Sequence, residues 1–127
     1  MERAELLAAV SAAVPETQGD VALQLLEIKV PRERLRVLME RLRSDPALAF
    51  DYPMCMTAVD WPDGGVITCV YHLYSFKHRH KLVVKCDADR VDAHMPTVSD
   101  LWRGCEWFER EVYDLFGVVF DDHPDLR

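Results

Sequence analysis

The chain has 127 residues, half of them apolar and 29% charged, with a formal net charge of −7. That length and composition describe one globular domain, residues 1–127, with a single core. The acidic balance argues against a nucleic-acid binder, which needs a basic footprint, and no apolar run approaches the ~18 residues of a membrane span.

The opening residues, Met1-Glu2-Arg3-Ala4-Glu5, have neither the basic n-region nor the apolar core of a secretory signal. Cys55, Cys69, Cys86 and Cys105 include no C-x-x-C pair. They read as reduced, mostly buried thiols of a cytoplasmic protein rather than as a disulfide framework.

Residues 3–14 are rich in Ala and Leu and place Leu6, Leu7, Val10 and Val14 on one face, the pattern of a short amphipathic helix that Pro15 helps to end. A polar stretch, Glu16 to Asp20, follows. Residues 21–30 read as a strand, because Leu26, Ile28 and Val30 alternate with Glu27 and Lys29. Pro31 opens a second helix. Leu35, Leu38, Met39 and Leu42 form its apolar stripe, with Arg32, Arg36, Arg41 and Arg43 largely turned away from it. This helix stops around Ser44-Asp45-Pro46.

Three strands are then predicted: Met54 to Trp61, Val66 to Phe76 and Leu82 to Cys86. Pro62-Asp63-Gly64-Gly65 and the basic turn Lys77-His78-Arg79-His80 separate them. Such short connections imply antiparallel pairing. Residues 87–98 read as a polar loop. Ser99 is a plausible N-cap for a last helix running to about Phe116, with Gly117 as its stop. The expected architecture is therefore α+β: an antiparallel or mixed sheet of about four strands, helices on one face, and a C-terminal helix followed by an extended tail.

On a helical wheel, Leu101, Cys105, Phe108, Val112, Leu115 and Phe116 form a core-facing stripe, so Phe108 is expected to be a folding residue. Trp107 falls on the opposite, charged side with Arg103, Arg110 and Asp114, and a stranded aromatic there points to a protein interface. Glu106–Arg110 and Arg110–Asp114 are spaced for i,i+4 pairs. The tail from Asp121 is charged and irregular, either frayed or docked.

Two other chemistries fit poorly. The five histidines (His72, His78, His80, His94 and His123) and four cysteines show no ligand spacing, so His78 and His80 read as surface histidines on a turn and no metal site is expected. Glu109 and Glu111 project about 200° apart and cannot share a substrate. With no phosphate loop or nucleophile elbow either, no autonomous catalytic site is expected.

The segment Glu109-Arg110-Glu111-Val112-Tyr113-Asp114-Leu115-Phe116-Gly117-Val118-Val119-Phe120-Asp121-Asp122-His123-Pro124-Asp125-Leu126-Arg127 resembles the signature of the 30 kDa subunit family of respiratory complex I, E-R-E-x-x-D-x-F-G-x-x-F-x-x-H-P-D-L-R. Thr57-Ala58-Val59-Asp60-Trp61, Tyr71-His72-Leu73-Tyr74-Ser75 and Val98-Ser99-Asp100-Leu101-Trp102 resemble further family segments. The resemblance covers about residues 50–127 with specific motifs.

It implies a cofactor-free structural subunit of the peripheral arm of an NADH:quinone oxidoreductase. Such a subunit docks to the large quinone-module subunit beside iron–sulfur subunits, with flavin and clusters held by those partners. It implies a peripheral place on the cytoplasmic side of the cell membrane, reached only through partners, and support of electron transfer from NADH to quinone coupled to proton translocation. The same family serves membrane-bound hydrogenases and formate hydrogenlyase-type complexes, an alternative parent. The residues expected at the partner interface are Trp107, Glu109, Arg110, Glu111, Asp114, Phe116, Gly117, His123, Pro124, Asp125 and Arg127. Relatives continue past H-P-D-L-R into an extended tail that wraps the large subunit, whereas this sequence stops at Arg127.

Overall fold

The computed structural model describes residues 3–20 and 26–126. In chain order the elements are α1 (Arg3–Ala13), β1 (Gln18–Asp20), β2 (Glu27–Lys29), α2 (Arg32–Ser44), β3 (Tyr52–Trp61), β4 (Val66–Ser75), β5 (His80–Asp89), β6 (His94–Pro96), α3 (Gly104–Phe116) and β7 (Val119–Asp121). The architecture is α+β, as expected, but with five strands in the main sheet, in the order β1-β2-β5-β4-β3, and a second sheet of β6 and β7. All main-sheet pairings are antiparallel except β2 with β5. No helix among the described residues is long and apolar enough to cross a membrane.

Side-chain alternation assigns the two faces of the main sheet. Ile67, Cys69, Tyr71 and Leu73 of β4 point into the core, as do Leu82, Val84, Cys86 and Ala88 of β5 and Met56 and Ala58 of β3. The register lines them up in rows such as Ala58–Cys69–Cys86 and Met56–Tyr71–Val84–Ile28. Leu6, Val10 and Val14 and all four stripe residues of α2 join the same core. The opposite face carries Thr57, Val59, Trp61 and Lys85, where Trp61 Nε1 donates to Thr68 and Thr68 donates to Asp87.

Three short strands were not expected, and each has a local reason. β1 lies in the polar stretch Glu16–Asp20 and pairs through backbone alone. Gly19 lets Leu7 pack close against this strand: a Cβ would sit 2.6 Å from Leu7 Cδ1, which would have to shift. The predicted strand at 21–30 survives as β2, with Leu26, Ile28 and Val30 buried; residues 21–25 of that expectation lie outside the described residues. β6 and β7 run parallel, and parallel neighbours need a crossover, which α3 supplies.

The arginines of α2 stand off the buried stripe, as expected, but three of them have partners far along the chain. Arg32 donates to the carbonyl of His94, Arg36 to that of Thr97 and Arg43 to that of Leu101. Only Arg41 stays local, with Asp45. Arg36 also holds Asp100 with two parallel bonds of 2.5 Å. The 94–101 segment is thus fastened to α2 by guanidinium groups at the edge of the buried stripe, where long side chains reach outward.

The cysteines are free; Cys69, Cys86 and Cys105 are buried, and Cys55 is exposed. Burial pushes the three enclosed thiols up to about 12, which leaves them inert at neutral pH. His80, expected on the surface, is buried against Phe50, and its Nε2 donates to the carbonyl of Leu48.

Candidate partner interface

α3 begins at Gly104, four residues later than the Ser99 cap predicts. Ser99 does not cap it; its hydroxyl bonds to that of Thr97 instead. Residues 98–102 form a separate turn closed by Trp102 N–H to the Val98 carbonyl, and the Trp102 indole is buried with Nε1 donating to the Phe50 carbonyl. At the far end Gly117 adopts φ +74 and its N–H bonds to the Tyr113 carbonyl, the left-handed stop expected of it. No atom lies within 4 Å of the place a Cβ would occupy at Gly117, so the cost of a side chain is conformational. Gly117→Ala is expected to lower unfolding free energy by about 1–2 kcal/mol, measured by urea titration.

The buried stripe of α3 is rotated from the expected one. Its enclosed residues are Cys105, Glu109 and Val112, with Phe108 and Phe116 only partly buried. Leu115, placed in the core by the wheel, is 76% exposed. The true face is centred near Glu109, about 70° from the predicted centre.

This overturns one interface expectation directly. Glu109 has no exposed surface and cannot touch a partner. Thr97 Oγ1 donates to its Oε1 at 2.5 Å, and the Val98 N–H donates to its Oε2 at 2.9 Å. Burial pushes the Glu109 carboxyl up to about 7, against the opposing effect of these two bonds.

His123 is likewise turned inward. Its side chain is fully covered, and Nε2 lies 3.9 Å from Glu109 Oε1. The Asp125 N–H donates to Nδ1 at 2.9 Å, so the ring proton is on Nε2, which donates to the Glu106 carbonyl at 3.0 Å. The tail is docked on the chain itself rather than frayed: Val118 and Phe120 are buried, and β7 pairs with β6.

Other predicted residues face outward. Trp107 is 61% exposed, with the Arg110 guanidinium 5.8 Å from its ring centre. Neither Glu106–Arg110 nor Arg110–Asp114 forms an ion pair among the described residues; Arg110 favours the indole face instead. Glu111, Asp114, Pro124 and Asp125 are exposed, Phe116 is half-buried, and Arg127 lies outside the described residues.

Between the 97–103 turn and the tail lies an open cleft of about 710 Å³, lined by Arg36, Asp100, Arg103, Glu106, Asp122 and Pro124 among others. Charge gathers at this end of the molecule: residues 91–127 hold nine of the 22 acidic residues and three of the 15 basic ones. None of Arg36, Thr97, Asp100 and Arg103 was among the interface residues expected from sequence. Among the described residues, no three His, Cys, Asp or Glu side chains come together to hold a metal. The arrangement offers shape, charge and an aromatic anchor.

Comparison with known proteins places this geometry. Residues 28–127 match the family model described as respiratory-chain NADH dehydrogenase, 30 Kd subunit. The corresponding NADH-quinone oxidoreductase subunit of Maricaulis maris is 38% identical over 112 residues, 87% of this chain and 56% of the relative. That of Chloroherpeton thalassium is 41% identical over 87 residues, 68% of this chain and 36% of the relative. The chain thus spans between about a third and somewhat over half of these relatives. Among solved structures, the trypsin-resistant fragment (1-134) of Nqo5 superposes with a TM-score of 0.84 at 30% identity, covering 99% of this chain and all of that one. A chain of the membrane-bound sulfane sulfur reductase, an archaeal respiratory membrane complex, gives 0.84 at 32% identity, covering 97% of this chain and 72% of that one. This chain belongs to the respiratory-chain NADH dehydrogenase 30 kDa subunit family.

Proposed function

We propose that the chain is a cofactor-free docking subunit in the peripheral arm of an NADH:quinone oxidoreductase. It would hold the large quinone-module subunit beside the iron–sulfur subunits that carry electrons from NADH to quinone, coupled to proton translocation. Flavin and clusters belong to those partners, and the chain reaches the cytoplasmic side of the cell membrane through them. The observation that carries this reading is Trp107, 61% exposed on a charged helix face with the Arg110 guanidinium over its ring. Tryptophan and arginine dominate binding energy where interfaces desolvate them. The contact surface is the outer face of α3 (Trp107, Arg110, Glu111 and Asp114) with the exposed tail residues Pro124 and Asp125, continued in sequence by Arg127. Phe116 and Gly117 shape it from behind.

A second parent is favoured by one observation, the likeness to a chain of a sulfane sulfur reductase at 32% identity. In that reading the same scaffold serves another membrane-bound respiratory complex, of which the hydrogenase and formate hydrogenlyase types are the alternatives that the family resemblance implies. Neighbouring genes separate the two: flavin- and NADH-binding subunits mark the first, a nickel-binding large subunit the second.

The test is co-purification of the large subunit with Trp107→Ala and Arg110→Ala variants, alongside circular dichroism of each chain. Truncating such anchors is expected to weaken capture by about thirtyfold or more, about 2 kcal/mol each, with the fold unchanged. Capture at wild-type yield by both variants would move the interface elsewhere.

A further inference from the structure

Glu109 is fully enclosed, yet no cation is bonded to it among the described residues. The charged and titratable groups around it come from every neighbouring element: Tyr71 and Cys69 from β4, Cys105 from α3, Asp100 from the turn, Arg36 from α2 and His123 from the tail. Arg36 is already engaged by Asp100 and Glu40. The Tyr71 hydroxyl has no hydrogen-bond partner among the described residues. The carboxyl is therefore held by a hydroxyl and an amide of residues 97–98, and it lies beside the ring that fastens the tail to the backbone of α3.

We propose that Glu109 and His123 are positioning residues of the docking surface, which clasp the 97–99 turn and the tail to α3 from inside and so set the cleft between them. This inference rests on the docking reading above. It adds that two polar residues of the signature segment, Glu109 and His123, act through the chain's own interior.

The hydroxyl pair gives the clasp two satisfied states. With Glu109 ionised, Ser99 donates to Thr97 and Thr97 donates to Glu109. With Glu109 protonated, its O–H donates to Thr97 and Thr97 turns to donate to Ser99; either oxygen of that 2.8 Å pair can be the donor. The closed clasp binds its proton more tightly than an opened, solvated carboxyl does. Closure is thus favoured below the ordinary carboxyl range and weakens as pH rises through about 7.

The experiment is amide hydrogen exchange on the full chain between pH 6 and pH 8, corrected for intrinsic rates. Reporters are Val98, which bonds to Glu109, Thr97, which bonds to Asp121, and Val119, which bonds to Ala93. Protection at all three is expected to fall together about tenfold over that interval, while β3–β5 amides stay protected. Glu109→Gln should abolish the pH dependence. Thr97→Val, which removes a donor to the charged form, should move the transition to higher pH. A flat wild-type profile, the same transition in Glu109→Gln, or an unmoved midpoint in Thr97→Val would each overturn the clasp.

Capture of the large subunit at the two pH values supplies the second readout. It should fall with pH for the wild type and stay constant for Glu109→Gln. If the amides respond but capture does not, the docking role of this surface is overturned and the clasp alone stands. Flat amide profiles alongside capture lost in Trp107→Ala would overturn the clasp and leave docking intact.

Discussion

Replacing Phe120 with alanine is expected to cost about 3–5 kcal/mol of unfolding free energy, as large-to-small changes at enclosed aromatic sites do. Phe120 is 1% exposed in the middle of β7, opposite the fully buried Met95 of β6. A three-residue strand supplies too few backbone bonds to hold by itself, so the ring's burial is what keeps the tail docked. Loss of Phe120 would free the segment that positions His123 as well. Urea unfolding followed by circular dichroism measures the effect, with Phe108→Ala as the internal comparison. Phe108 is only partly buried, so its loss should be clearly smaller. Equal losses, or a Phe120→Ala cost under about 1 kcal/mol, would mean that β7 contributes little to the fold.

Phe120 also marks where sequence reading stops being reliable. The long elements were legible because their burial is periodic and one-sided. Leu35, Leu38, Met39 and Leu42 repeat at helical spacing and are all buried, and the apolar run of β4 with its flanking turns falls where expected. β1, β6 and β7 have three residues each, too few for a period to show.

The wheel of α3 failed for a different reason. It weighed only apolar residues, and the centre of the buried face is a carboxylate. Glu109 stands four residues after Cys105, three before Val112 and seven before Phe116, a spacing that would have placed it inward had charge not been taken as a sign of exposure. The arginines of α2 hid their role in the same way. Arg32, Arg36 and Arg43 share one helix side, but their acceptors are carbonyls some 60 residues away, and no local pattern encodes those. The family motif was legible as a string. Which of its letters face a partner and which face inward was not.

Trp102 and Trp107 give the sharpest contrast available between those two kinds of letter. They lie five residues apart, one 3% exposed and the other 61%. Trp102→Ala is expected to cost about 3–5 kcal/mol, because the indole fills the junction between the turn and the sheet and its Nε1 satisfies the Phe50 carbonyl at 2.8 Å. Trp102→Phe keeps part of the packing but leaves that buried acceptor unpaired, a loss of about 1–3 kcal/mol. Trp107→Ala should change stability by no more than about 0.5 kcal/mol, as surface substitutions do, and act on partner capture alone. The measurement is the urea midpoint of each variant, with tryptophan emission as a second probe. Removing Trp102 should take away the blue-shifted component, and removing Trp107 part of the red-shifted one, which Trp61, 53% exposed, shares. If Trp107→Ala destabilised the chain as much as Trp102→Ala, the indole would be a folding residue and the interface would lose its anchor. If Trp102→Ala were mild, the turn at 98–102 would be held by the arginines of α2 rather than by the indole, and Arg36→Ala would then carry the larger loss.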